Sequence, residues 1–150
     1  MYTKILVPLD GSELAEKVLP HVEEVAHCTD AEIVLLRVPV YAYEAAVGAD
    51  GPFLPSFPLP DVRGEALKEA VDYLHKVKGE LALRGLRVSA MVKEGNVAEV
   101  IIAFAREAGV DLIAMSTHAR TGLNRVVFGS VAEQVLHEAQ KPVLLIRPEL

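Results

Sequence analysis

The chain has 150 residues, of which 51% are hydrophobic, and its mean hydropathy is +0.29. These values exclude a disordered chain and predict one globular domain with a sizeable core, covering residues 1–150. Fifteen Lys and Arg against 21 Asp and Glu give a net charge of −6, which argues against a general binder of nucleic acid or of acidic membranes.

We expect neither a targeting signal nor a membrane-spanning segment. No apolar run approaches the roughly 18 residues that cross a membrane, and the first residues lead into a strand without a signal-peptide pattern. Cys28 is the single cysteine, so no intramolecular disulfide can form, and we expect it to be a buried or half-buried structural thiol. We expect a cytoplasmic protein.

Apolar strands and amphipathic helices are predicted to alternate along the chain. The predicted strands are Lys4–Val7, Ile33–Val38, Arg87–Val92, Leu112–Met115 and Val143–Ile146. The predicted helices run from Ser12 to about Asp30, from Asp61 to Arg84, from Asn96 to Ala108 and from Gly129 to Ala139. The inward residues are expected to include Leu67, Val71, Leu74 and Leu81 in the second helix, and Val131, Val135, Leu136 and Ala139 in the last.

A proline-rich segment interrupts this pattern at about 39–60. It holds five of the nine prolines together with two tyrosines and two phenylalanines, and such a density of proline excludes a regular helix or a central strand. We interpret it as a long surface loop inserted in the domain. A passive insertion and a lid over a binding site both remain open.

Strict alternation of apolar strands with helices predicts a parallel sheet with helices on both faces. Ligands of such sheets bind beyond the carboxyl ends of the strands, where the strand order reverses. The segments at that edge are Pro8–Ser12, Val38–Pro39, Lys93–Asn96 and Ser116–Ser130.

The stretch Leu112–Val131 is the strongest candidate for a site. A buried strand is followed by a polar loop that carries His118, Arg120 and Arg125, and then by a helix that opens with Gly129-Ser130. The first N–H groups of a helix are unpaired and lie at the positive end of its dipole, which suits phosphate. The alternative is an ordinary connection with a solvated basic loop.

Several segments resemble universal stress proteins. They are ILVPLDGS at 5–12, AMSTHARTGL at 114–123, FGSVAE at 128–133 and KPVLLI at 141–146. The resemblance implies a Rossmann-like α/β domain, similar to adenine nucleotide alpha hydrolases, with a five-stranded parallel sheet of order 3-2-1-4-5. It also implies a homodimer joined through the last strand, Val143–Ile146, and a role in the stress response.

One branch of that family binds ATP through Gly-x-x-Gly-x9-Gly-Ser/Thr. The corresponding residues here are Ser116, Ala119, Gly129 and Ser130, so the spacing is kept but the two leading glycines are replaced. If glycine served close approach, these small residues permit binding; if it served a positive φ, both cost energy.

The resemblance implies ATP, ADP or AMP as the ligand, with Mg²⁺ bridging the phosphates. Residues 8–10 and 38 would surround the base and ribose, and residues 115 and 116 would lie near the ribose. Residues 119 and 129–131 would offer backbone N–H groups to phosphate. The implied contacts are Pro8, Leu9, Asp10, Val38, Met115, Ser116, Thr117, His118, Ala119, Arg120, Gly129, Ser130 and Val131. Asp10 has a second interpretation, as a helix-entry residue that accepts local backbone N–H groups.

Catalytic patterns are missing from the sequence. It has no P-loop, no Gly-x-Gly-x-x-Gly and no nucleophile elbow, and its histidines lack metal-ligand spacing. Two functions therefore remain open: an adenine-nucleotide-binding regulatory protein with at most slow ATP hydrolysis, or a dimeric interaction module with a weakened or lost nucleotide site.

Overall fold

The computed structural model describes residues 1–40, 61–117 and 129–148, so most of the proline-rich segment and part of the basic loop lie outside the described residues. The strands are β1 (Lys4–Pro8), β2 (Glu32–Arg37), β3 (Val88–Val92), β4 (Leu112–Ser116) and β5 (Val143–Ile146). The helices are α1 (Glu13–Glu16), α2 (Leu19–Thr29), α3 (Val62–Ala82), α4 (Val97–Glu107) and α5 (Ser130–Glu138).

The five strands form one parallel sheet in the order β3-β2-β1-β4-β5, which confirms the predicted fold class. Leu6 of β1 is in register with Val34 of β2 on one side and with Ile113 of β4 on the other. The chain therefore leaves β1 in one direction and returns to its other side at β4. The strand order reverses at β1, and the carboxyl ends of β1, β2 and β4 lie at one edge of the sheet.

The core consists of two apolar layers, one on each face of the sheet. Ile5 and Val7 pack with residues of α1, α2 and α3, whereas Leu6 packs with residues of α4 and α5. All three are fully buried, because a central strand of a parallel sheet is covered on both faces. The continuous apolar run in β1 follows from this double burial.

The first predicted helix is wrong in its continuity, because two helices replace it. The helix α1 ends at Glu16, and α2 begins at Leu19 with a proline in its first turn. In an unbroken helix the ring of Pro20 would clash with the carbonyl of Glu16, and its nitrogen has no hydrogen to donate. At the start of α2 neither restriction costs a hydrogen bond.

Two predicted helix faces are also displaced. In α3 the buried residues are Ala70, Leu74, Val77 and Leu81, and in α5 they are Ala132 and Val135. Val71 and Leu136, which were expected to point inward, are each 42% exposed. Ala70 and Ala132 face the sheet instead. A small side chain at the contact lets the helix pack closer to the sheet, and this close packing decides which face is buried, rather than the size of the apolar side chains. Within the described ranges, no helix is both long and apolar enough to cross a membrane.

Asp111 ties the start of β1 to the start of β4. Its Oδ2 accepts hydrogen bonds from the Thr3 backbone N–H (2.9 Å) and hydroxyl (2.7 Å), and its Oδ1 accepts one from the Lys4 N–H (3.2 Å). Burial acts to raise the pKa of Asp111, but these hydrogen bonds outweigh it and lower the pKa below its usual value. The ionised carboxylate therefore stabilises the fold.

We predict that Asp111→Asn lowers the free energy of unfolding by about 1–2 kcal/mol at pH 7, because a charge-assisted acceptor is lost. Because the folded-state pKa is lowered, this contribution is complete above the unfolded value of about 3.9 and disappears as the pH falls through the folded-state pKa. Urea unfolding at a series of pH values measures the difference. Asp72→Asn, on the exposed face of α3, is the control; a pH-independent difference at Asp111 would contradict the assignment.

Candidate functional site

The candidate site lies at the carboxyl edge of β1, β2 and β4. Leu9 follows β1, Val38 follows β2 and Met115 lies near the end of β4, and all three are buried. The Leu9 N–H donates to the Leu36 carbonyl at 2.9 Å, and the Thr117 N–H donates to the Ile146 carbonyl at 2.9 Å. The hydrogen bonds between neighbouring strands thus continue one residue beyond the ends of β1 and β4. They hold the strand ends that carry these apolar side chains in place at this edge of the sheet.

The turn between β1 and α1 is held by its own side chains. Asp10 Oδ1 accepts from the Ser12 backbone N–H (2.9 Å) and from the Ser12 hydroxyl (2.6 Å). Ser12 Oγ in turn accepts from the Ala15 N–H (3.1 Å) and caps α1. Asp10 is exposed and has the helix-entry role that the sequence left open.

Ser116 connects β4 with α1. Its buried hydroxyl donates to the Ala15 carbonyl at 3.2 Å. Ser116 belongs to a regular strand, and in the described part of the chain positive φ values outside glycine occur at Asp30 and Gln140 only. Serine therefore carries no conformational cost at this first glycine position of the family motif, and its hydroxyl has a structural partner.

In the described part of the chain, α5 begins without a side-chain cap, as α2 does. Its N-cap residue is Gly129, which has no side chain to accept a hydrogen bond, whereas Ser12, Asp61 and Asn96 cap α1, α3 and α4 through their side-chain oxygens. The φ of Gly129 is −53°, which any residue can adopt. The backbone at this position therefore does not require glycine. What glycine provides here is the absence of a side chain beside the first turn of α5.

The remaining predicted contacts are divided between the helix and the loop. Ser130 is exposed and Val131 is half-buried at the start of α5, while Pro8 is the half-buried last residue of β1. His118, Ala119 and Arg120 lie outside the described residues. Cys28 is exposed, so the expectation of a buried or half-buried thiol is wrong: its position near the end of α2 faces away from the core stripe. Among the described residues, no three His, Cys, Asp or Glu side chains gather as a metal site.

Sequence reasoning missed Arg37, the last residue of β2. Its side chain is 12% exposed, its Nη2 lies 2.8 Å from Glu69 Oε2, and its Cζ lies 5.1 Å from the centre of the Tyr73 ring. Burial raises the pKa of the Tyr73 phenol, and the nearby Glu16 carboxylate raises it further. A charged residue at the end of an apolar strand, directly before Val38, was the available signal.

The sheet order and the helices on both faces make this chain a Rossmann-like α/β domain. The sequence profile of the universal stress protein family matches residues 1–147. The chain therefore belongs to the universal stress protein family, and the predicted resemblance is confirmed. Universal stress protein MJ0531 of Methanocaldococcus jannaschii is 33% identical over 148 residues, which cover 98% of this chain and 83% of that protein.

Solved structures agree with this assignment. The structure of MJ0577 from M. jannaschii superposes with a TM-score of 0.79 at 32% identity, covering 99% of this chain and 98% of that chain. A universal stress protein in complex with cAMP (TM-score 0.68, 15% identity, 99% and 98% coverage) shares the fold. So does a family member from Arabidopsis thaliana with AMP bound (TM-score 0.68, 18% identity, 98% and 92% coverage).

We predict that Ser116→Ala lowers the free energy of unfolding by about 1–2 kcal/mol, because the buried Ala15 carbonyl loses its side-chain donor. Urea unfolding followed by circular dichroism measures the change. Ser89→Ala is the matched control, since the Ser89 hydroxyl bonds Glu32 at 3.0 Å on the edge strand β3, where water can replace it. Equal losses in the two variants would show that the Ser116 bond has no special weight.

Proposed function

We propose that this protein binds an adenine nucleotide at the carboxyl edge of β1, β2 and β4 and acts as a nucleotide-dependent regulatory protein of the stress response. The observation that carries the proposal is the first turn of α5, which follows a glycine without a side-chain cap. The first N–H groups of a helix and the positive end of its dipole suit phosphate. The relatives with bound cAMP and AMP support the same class of ligand.

The residues at this edge fit the parts of a nucleotide. The buried side chains of Leu9, Val38 and Met115 provide apolar surface for a base, while Pro8 and Asp10 lie at the end of β1 beside them. A carboxylate at this position can accept a hydrogen bond from a ribose hydroxyl. Because the Ser116 hydroxyl donates its hydrogen to the Ala15 carbonyl, it could only accept a hydrogen bond from the ligand.

The phosphates would lie on Gly129, Ser130 and Val131, with the Ser130 hydroxyl as an additional donor. The loop residues Thr117, His118, Ala119 and Arg120 complete the proposed set. Bound ATP would bring Mg²⁺ through its phosphate oxygens, which are the hard ligands that this ion prefers. We also propose that residues 1–150 form one domain with a loop insertion at about 39–60 and that the protein works in the cytoplasm.

Isothermal titration calorimetry with ATP-Mg²⁺, ADP and AMP tests nucleotide binding. We expect saturable binding that Gly129→Val abolishes, because a branched side chain would occupy the space over the first N–H groups of α5. Gly79→Val is the matched control, since a Cβ at Gly79 meets no atom within 4 Å. Unchanged affinity in Gly129→Val would refute this site. No heat at millimolar nucleotide would instead favour the dimeric interaction module.

We further propose that two copies associate through β5. This edge strand consists of four half-buried apolar residues, and an open edge of this kind is a template for pairing with another chain. The Ile113 N–H of β4 and the Thr117 N–H directly after β4 donate to the carbonyls of Pro142 and Ile146. In a parallel pair the intervening residues, Val143 and Leu145, then direct their N–H and C=O groups outward.

We expect sedimentation equilibrium to give a dimer at micromolar concentration and Val143→Pro to shift it toward monomer. Proline at this first strand position removes an outward N–H without touching the β4 ladder. Val143→Ala, which keeps the N–H, should remain dimeric, and circular dichroism should be the same for all three proteins. A monomeric wild type would contradict dimerisation, and a dimeric proline variant would contradict its location at β5.

A further inference from the structure

We propose that Arg37 is a positioning residue: its guanidinium holds the turn Asp10–Ser12 against α3 and thereby sets the affinity of the site for a nucleotide. The inference rests on the proposed nucleotide-binding function, because the turn matters for affinity only if a nucleotide binds beside it. Arg37 lies at the end of β2, packs against α3 and belongs to none of the predicted nucleotide contacts.

The guanidinium occupies the space beside Gly11 where any other residue would carry its side chain. A Cβ built on Gly11 would overlap Arg37 Nη1 and lie 3.2 Å from Cζ and 3.3 Å from Nη2. Gly11 also has a φ of +89°, which side chains rarely allow. The turn therefore has its shape because glycine accepts this backbone and because Arg37 packs directly against it.

Two residues of α3 fix the guanidinium from the other side. Glu69 and Tyr73 are four residues apart and lie on one face of the helix. The Glu69 carboxylate bonds Nη2 at 2.8 Å, and the Tyr73 ring lies 5.1 Å from Cζ, within cation–π distance. The planar fork of arginine makes both contacts at once. Arg37 thus couples α3 with the backbone of the turn.

Charge adds to the effect of packing. Glu69 pairs with the guanidinium at 2.8 Å, and the carboxylates of Glu16 in α1 and Asp10 in the turn both act on Tyr73, whose ring lies under the guanidinium. Arg37 places a positive charge among these three negative charges. Without it they would repel one another, and Asp10 and Glu16 belong to the segment that has to keep its shape.

Arg37 Nη1 is buried and has no hydrogen-bond partner in the part of the chain that the structure describes, which is a cost that an apolar residue at this position would avoid. The buried guanidinium therefore costs local stability, and in return it fixes the shape of the turn and places a positive charge beside it. Asp10 is oriented from within by Ser12 and from outside by Arg37 through Gly11. Pro8, Leu9 and Asp10 are the part of the proposed site that this turn positions.

Arg37→Met tests the proposal, because methionine keeps an unbranched stem but lacks the charge and the fork. We expect amide hydrogen exchange at Ser12 and Ala15 to become about tenfold faster in the free protein, as expected when a well-oriented hydrogen bond is weakened. Arg84→Met is the matched control: Arg84 pairs with Glu23 after the opposite end of α3 and should change exchange at these amides less than twofold.

Titration with ADP then gives the functional readout. We expect Arg37→Met to weaken binding about tenfold and Arg37→Lys, which keeps the charge, to recover part of the loss. In an Asp10→Ala background the effect of Arg37→Met should largely disappear, because Arg37 acts through the turn. If Arg37 only stabilised the fold, Arg37→Met would weaken ADP binding equally in the wild-type and Asp10→Ala backgrounds.

The outcomes separate the two proposals. If exchange at Ser12 and Ala15 is unchanged in Arg37→Met, Arg37 does not hold the turn and the inference is overturned. If exchange accelerates while the affinity for ADP stays the same, its influence on the site is overturned. If the wild type binds no nucleotide, the proposed function fails, whereas accelerated exchange still supports the part of the inference that concerns the turn.

Discussion

The burial of β1 is the constraint on which the rest of this structure depends. Ile5, Leu6 and Val7 are covered by helices on both faces and by β2 and β4 on both edges. A strand in this position has to be apolar throughout, and the chain has to leave it on one side and return on the other. The reversal brings the carboxyl ends of β1, β2 and β4 together. The residues that follow these strands, such as Asp10 and Thr117, therefore lie at one edge, although more than a hundred residues separate those two in the sequence.

The short helix α1 joins these strand ends into one unit. Ser12 caps it from the β1 side, and the Ser116 hydroxyl of β4 binds its Ala15 carbonyl. Arg37 of β2 adds the third connection, through Gly11. A serine at a glycine position of the family's ATP motif thus has a structural use in this chain. The edge is held by side-chain hydrogen bonds at the same points where the proposed ligand would lie, which provides preorganisation at little cost in entropy on binding.

Much of the fold could be predicted because burial leaves a direct trace in the order of residues. Runs such as Ile33–Leu36 gave the strands, and caps such as Asn96 gave the helix starts. The errors arose where a local signal competed with packing. Pro20 divides a helix that hydrophobic spacing joined, and Ala70 rather than Val71 faces the sheet. A prediction from the hydrophobic pattern favours large apolar side chains as the buried ones. A helix, however, packs most closely against a sheet where its side chains are small.

The sequence by itself determined the class of fold and the family, and it pointed to the edge at which we propose that a ligand binds, because periodicity, strand apolarity and motif spacing are local properties. Only the tertiary structure decided that Ser116 donates to Ala15, that α5 begins without a side-chain cap and that Arg37 packs on Gly11. Those contacts join residues from different strands and helices. Their partners are chosen by sheet order and register, which no single segment of the sequence encodes.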